Sequence, residues 1–243
     1  MYLYGRRSIE ERLKANSGNV KRLILEHGGA RSPDIAALAR SRKVPVELIS
    51  GVQFRALTRG IHSQGVVAEV DGFSYADIDA VLDDPAKPTL ILLDRINDPQ
   101  NLGSILRTCA CLGGFCVVLP KHESVDVTET VLKVACGAEN YVPVCLISSL
   151  AVAVDKARRS GYWIAATVVD GGTDPHEGPS MNFPLALIIG SEGEGVRSGL
   201  LKDTDYCFTL PMRGAALSLN VAVSVGIFCY EAAAQRSKNE KKA

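Results

Sequence analysis

The sequence predicts an α/β protein built on a mostly parallel sheet with helices on both faces. Three observations lead there. The apolar runs "TLILLD" and "FCVVLP" are continuous rather than alternating, as strands buried on both faces require. Amphipathic stretches such as "SLAVAVDKARRSG" separate such runs along the second part of the chain. The 243 residues, 47% apolar and 22% charged, suffice for an ample core in one or two domains.

The first 70 residues read as a small α/β module. A helix is expected over about 6–16, where Ile9 and Leu13 share a face. "VKRLILE" predicts a strand at 21–26. Pro33 suits the start of a helix over 33–42. A strand at 45–49, a short helix after Ser50 and a strand at 65–70 complete the module. Residues 71–88, "DGFSYADIDAVLDDPAKP", are acidic with two prolines, and read as a linker holding a helical turn or two. Residues 89–243 form the second domain. Its expected strands are "TLILLD", "FCVVLP", "YWIAATVV", "LALIIG" and "YCFTLP". Its last helix is "SLNVAVSVGIFCYEAAAQ", entered at Ser218 and Asn220, and a polar tail follows that should fray.

Composition narrows the function classes. No apolar run reaches the roughly 20 residues that span a bilayer. The N-terminal "MYLYGRRSIEERLK" lacks the apolar core of a signal peptide. The seven cysteines are odd in number and lack zinc-site spacing, which predicts reduced thiols in a cytoplasmic protein. No His, Cys and carboxylate spacing argues for a metal. The zero net charge hides an asymmetry: residues 1–70 hold 12 Lys and Arg against 6 Asp and Glu, and the rest hold 15 against 21. A basic module joined to an acidic one points to a polyanionic partner for the first.

In parallel sheets, ligands bind beyond the carboxyl ends of the strands. Three loops there carry unusual chemistry: "NDPQNLGSILR" after Leu93, "GSEGEGV" after Ile189, and the loop after Leu210 within "LPMRGAALSLN". None is a dinucleotide G-x-G-x-x-G or a phosphate-binding G-x-x-x-x-G-K-[ST], which counts against dehydrogenases and nucleotide hydrolases. Taken singly, Asn101 and Ser218 suit helix caps, Arg107 a helix surface and Glu192 a solvated loop. Taken together at one end of one sheet, they suggest a site. His62 reads as a loop residue, structural or touching RNA, and His122 and His176 as surface loop residues.

"DPQNLGSILRT", "IIGSEGEGV" and "LPMRGAALSLNVAVSVGIFCYE" resemble, in this order, the three motifs of the SpoU/TrmH family of RNA ribose methyltransferases, within the SPOUT class. "YGRRSIEERL" and "IHSQGVVAEV" resemble the substrate-binding extension of the subgroup that methylates a guanosine of 23S rRNA. The resemblance implies a C-terminal trefoil knot that holds S-adenosylmethionine (AdoMet) mainly through backbone groups at Gly190, Leu210 and Leu219, with Met212 nearby. It implies catalytic roles for Asn101, Arg107, Glu192, Ser218 and Asn220. Arg107 would serve the target phosphate and 2′-oxygen, and Asn101 would orient Arg107 or the ribose. Glu192 would shape its own loop by accepting backbone N–H bonds. A general-base role for Arg107 is difficult for a group with a pKa of about 12 or more. A tRNA ribose methyltransferase and a non-catalytic knotted RNA-binding protein are the alternatives. The last helix carries Leu219, Val221, Val223, Val225, Ile227 and Phe228 nearly all around its axis, so something besides the sheet must cover it. A homodimer with a shared site is the expectation, and the resemblance points the same way.

Overall fold

The computed structural model describes residues 1–28, 32–61, 63–178, 180–215 and 217–240, with the side chains of Ser32 and Glu240 excluded. His62 and the end of the polar tail lie outside the described residues. The chain opens with β1 (Tyr2–Tyr4), α1 (Arg6–Ala15), β2 (Val20–Glu26), α2 (Ser32–Ser41), β3 (Val46–Ile49), α3 (Gly51–Thr58) and β4 (Val66–Val70). These strands form one sheet in the order β1-β4-β2-β3. The short β1 was not expected. It is three residues long and gains its strand character by pairing antiparallel with β4, a contact no local pattern announces. Ser50 caps α3 in a capping box with Gln53, so this helix starts where the sequence placed it.

The expected linker is not a loose tether. Its α4 (Ile78–Asp83) is capped by Asp77 and buries Ile78, Val81 and Leu82. Ala76 bridges Cys145 alongside the second sheet, and Phe73 and Tyr75 stack edge to face against the core. Apolar residues hidden in an acidic stretch account for the difference.

After α4 come β5 (Thr89–Leu93), α5 (Pro99–Leu112), β6 (Phe115–Pro120), α6 (Glu129–Ala135), β7 (Val144–Ile147), α7 (Leu150–Arg159), β8 (Trp163–Thr167), β9 (Leu185–Ile189), α8 (Ser198–Leu201), β10 (Tyr206–Phe208) and α9 (Val221–Glu240). The sheet runs β10-β8-β9-β5-β6-β7 and every named pair is parallel, as the continuous apolar runs predicted. The central β5, β6 and β9 are buried along their whole length. Two buried clusters cover the two faces. The four-residue β7 and the seven-residue α6 were missed, because each is too short to show a period. The last helix begins at Val221 rather than Ser218.

The two sheets meet through α1, β1, α6 and the 3-10 turn at Ala138–Asn140. Arg12 and Glu139 form an ion pair at 3.1 Å with side-chain exposures of 6% and 0%. Burial raises the Glu139 pKa above the usual carboxylate value, against the opposing pull of Arg12. The Tyr2 N–H donates to Glu129 at 2.8 Å, and the Tyr141 hydroxyl donates to Glu11 at 2.6 Å. A Cβ on Gly137 (φ 94°) would lie 2.5 Å from that of Glu11, so glycine lets α1 approach. No described helix is long and apolar enough to cross a membrane.

Candidate active site

Leu93, Ile189 and Phe208 end three parallel strands, and the loops that leave them converge. Asp98, not Asn101, caps α5, accepting from the Gln100 N–H with Pro99 in the first turn. That leaves the Asn101 side chain available. Asn220 caps α9, since its Oδ1 accepts from the N–H groups of Ala222 (3.0 Å) and Val223 (3.4 Å).

Both amide hydrogens of Asn220 are also used. Nδ2 donates to Asn101 Oδ1 at 2.9 Å and to Glu192 Oε1 at 2.7 Å. The same Glu192 oxygen accepts the Val221 N–H at 2.9 Å. One residue from each loop thus meets at the start of α9, where a carboxylate also complements the helix dipole. The backbone N–H that Glu192 accepts is thus that of Val221, and among the described residues none comes from its own loop. That loop closes on itself, with Gly195 N–H donating to Ser191 O at 2.9 Å. Among the described residues, Asn101 Nδ2 and Glu192 Oε2 have no partner, so the cluster presents an amide donor and a carboxylate oxygen outward.

Arg107 stands apart. It lies six residues beyond Asn101 on α5, about 9 Å along the axis. It is exposed and has no hydrogen-bond or ion-pair partner among the described residues. It lines a groove of about 500 Å³ between α5 and α9, with Ser104, Thr108, Val134, Gly226 and Tyr230. Asn101 does not orient it. Ser218 is exposed and bonds to none of the cluster.

Leu210, Met212 and Leu219, expected at the cofactor, precede the cluster residue Asn220 in the chain. Leu210 and Leu219 are partly buried, and Met212 is 48% exposed. None of the three makes a backbone hydrogen bond to another described residue. Uncovered apolar side chains beside unpaired peptide groups suit an adenosine moiety held by backbone. A Cβ on Gly190 would lie 2.0 Å from the Gly195 carbonyl carbon, so glycine is what lets its own loop fold back.

Three charged residues at the site were not anticipated. Asp94 is 0% exposed at the end of β5 and accepts from Arg197 Nε at 2.7 Å and from the Arg197 N–H at 3.0 Å. This carboxylate holds the Arg197 pKa above the ordinary arginine value. Arg95 pairs with Glu194, and its Nη2 donates to Gly195 O at 3.0 Å. The available signal was a charged pair abutting a wholly buried run in "TLILLDR", since a buried charge demands a partner.

Comparison with known proteins decides the family. The model of the SpoU rRNA Methylase family matches residues 88–230. The chain belongs to this family. A second family model, described as RNA 2′-O ribose methyltransferase substrate binding, matches residues 2–76. Among SpoU relatives, the 23S rRNA (guanosine-2′-O-)-methyltransferase RlmB of Pseudomonas syringae is 34% identical, covering 98% of this chain and 97% of its own. The RlmB of Neisseria meningitidis is 33% identical over 98% and 97%. The SpoU methyltransferase AviRb from Streptomyces viridochromogenes, solved in complex with AdoMet, superposes with a TM-score of 0.80 at 25% identity, covering 98% of this chain and 91% of that one. As a SpoU protein the chain is a methyltransferase that uses AdoMet.

Proposed function

We propose that the chain methylates the 2′-OH of a guanosine ribose in 23S rRNA, acting in the cytoplasm as a homodimer. The observation that carries the reading is the joined cluster of Asn101, Glu192 and Asn220, which ties all three family motifs together at one end of the sheet. Nearly full-length similarity to RlmB proteins, including the first module, supports rRNA over tRNA. The cluster opposes a non-catalytic reading, because binding alone needs no such convergence.

AdoMet supplies an electrophilic methyl group on a sulfonium. The peptide groups of Leu210, Met212 and Leu219, which have no backbone partner among the described residues, would hold it in place, together with that of Gly190. Methyl transfer then needs the ribose oxygen in line and its developing negative charge stabilised. Asn101 Nδ2 and Glu192 Oε2 fix the ribose. Arg107 sets its guanidinium against the target phosphate and the 2′-oxygen, in a planar fork suited to oxyanions. A guanidinium has five N–H donors, no acceptor and a proton it does not give up, so it acts as a stabiliser rather than a base. Ser218 steadies the third loop once RNA is bound.

Residues 1–70 act as the RNA-binding domain, residues 71–88 as the connection, and residues 89–243 as the catalytic domain. Pro175 and Met181 meet the C-terminal half of α9, where Gln235 bonds both Pro175 O (2.9 Å) and the Met181 N–H (2.6 Å). That contact supports a threaded, trefoil-knotted chain. Val223 (50% exposed), Ile227 (42%) and Tyr230 (66%) form an open apolar stripe on α9 beside the Arg107 groove. A second copy covering this stripe would bring its AdoMet loops to Arg107.

The test is to incubate the protein with labelled AdoMet and separate pools of undermethylated rRNA and tRNA, then map the labelled ribose. Label on a 23S guanosine 2′-oxygen is expected. Label only in tRNA, or on a base, refutes the substrate assignment, and no label in either pool refutes catalysis.

A further inference from the structure

Arg95 carries two features that its surroundings do not need for stability. Its backbone sits at φ 61°, an uphill conformation for any residue with a Cβ. Its Nε is buried without a hydrogen bond, with Asp94 Oδ2 3.8 Å away. Glycine in its place would relieve both. Its partner Glu194 is 74% exposed, and ion pairs of that kind add little to stability. Strain of this sort gathers where geometry matters more than stability.

The geometry served is that of the 190–196 turn. Arg95 grips the turn through the Glu194 carboxylate and the Gly195 carbonyl. Gly195 is also the residue against which the Gly190 backbone is pressed. Arg197, bonded to buried Asp94, anchors the far side of the turn. Between these anchors hangs Glu192, which holds Asn220 and the Val221 N–H.

We infer that Arg95 is a positioning residue for methyl transfer, clamping the 190–196 turn so that Glu192 holds the start of α9 in register with Asn101. The inference rests on the catalytic reading above for its effect on rate, but not for its effect on geometry. Arg95 makes no hydrogen bond or ion pair to the three cluster residues and acts only through the turn.

The experiment compares Arg95→Gly with the wild-type full-length protein in three measurements. Glycine accepts the left-handed backbone, so Tm should stay level or rise. Amide exchange at Val221, whose N–H is bonded to Glu192, should quicken while exchange in the middle of α9 stays unchanged. With labelled AdoMet and rRNA, kcat should fall between about 10- and 100-fold with KM for RNA unchanged, the range that a misplacement of up to roughly 1 Å produces. Arg95→Lys, which can keep the Glu194 pair but not the two-pronged grip, should recover part of both the protection and the rate. Unchanged Val221 exchange overturns the clamp whatever the enzyme's activity. Tm falling in step with kcat makes Arg95 merely structural, and a raised KM for RNA at constant kcat makes it an RNA contact instead. Quickened exchange in a protein whose wild type methylates no RNA leaves the clamp standing and refutes only the catalytic reading.

Discussion

Asn220 does two jobs that substitution can separate. Its Oδ1 caps α9, and its Nδ2 joins Asn101 to Glu192. Asn220→Ala removes both. Losing the cap costs about 1 kcal/mol of stability. For a chain of this length that lowers Tm by about 2–4 °C. Losing a hydrogen bond to a carboxylate costs roughly 1.5–3 kcal/mol. Asn220 and Glu192 are both exposed, so solvent screening favours the lower figure. About 1.4 kcal/mol off transition-state stabilisation is roughly tenfold in kcat/KM. Asn220→Ser isolates the second job, since serine caps about as well as asparagine but cannot span Asn101 and Glu192. The serine variant should therefore melt near the wild type and still lose about as much activity as the alanine variant. Scanning fluorimetry and methyl transfer to undermethylated rRNA measure the two effects. The reasoning fails if serine restores turnover along with Tm, because Asn220 would then be a cap and nothing more.

Arg107→Ala should abolish methyl transfer yet leave AdoMet affinity unchanged by calorimetry. Mixing it with Glu192→Ala protein should restore some activity in heterodimers, and no recovery, or a monomer by ultracentrifugation, excludes a shared site. RNA affinity should fall steeply between about 50 and 200 mM salt while AdoMet affinity barely moves, given the cation excess of residues 1–70; equal salt dependence of the two contradicts the assignment. Gly190→Ala should destabilise by about 1–3 kcal/mol through the collision with Gly195, and a wild-type melting curve would show that the turn can open at no cost. Glu139 has a folded pKa raised by burial, so its contribution is fully present below the unfolded value of about 4.3 and is lost as pH rises through the folded value. Thermal melts across that window should show the wild type losing stability relative to Glu139→Gln as pH rises, and parallel curves would refute this.

The buried strands were legible because continuous apolar runs such as "TLILLD" permit few readings, and strands that alternate with helices dictate a parallel sheet. Elements without a run of their own were not. β1 exists only through β4, and α6 and β7 are stabilised by what packs over them. At the site, Asn101, Glu192 and Asn220 could be singled out by residue type and position, but not their bonding. Which loop receives the Glu192 carboxylate depends on how the 190–196 turn folds, and that is set by Gly195 within the motif and by Arg95 and Arg197 outside it. Gly190 was singled out as a cofactor contact, whereas the need for glycine seen at that position comes from its own chain.

The arrangement of charge bears on what the single chain can do. Among the described residues, the three-loop cluster offers an amide donor on half-buried Asn101 and a carboxylate oxygen on exposed Glu192, and no cation bonds to it. Arg197 is spent on Asp94 and Glu123, and Arg95 on Glu194 and Gly195. The unpaired guanidinium of Arg107 sits in the α5–α9 groove instead. A ribose fixed by Asn101 and Glu192 of one chain is thus served poorly by that chain's own Arg107. The open stripe of Val223, Ile227 and Tyr230 lies along the same groove, and an apolar stripe of this kind is ordinarily covered. One contact, a second copy docked on α9, would cover the stripe and bring an Arg107 to each cluster. On the homodimer proposed above, that one contact would answer both the absent cation and the uncovered helix.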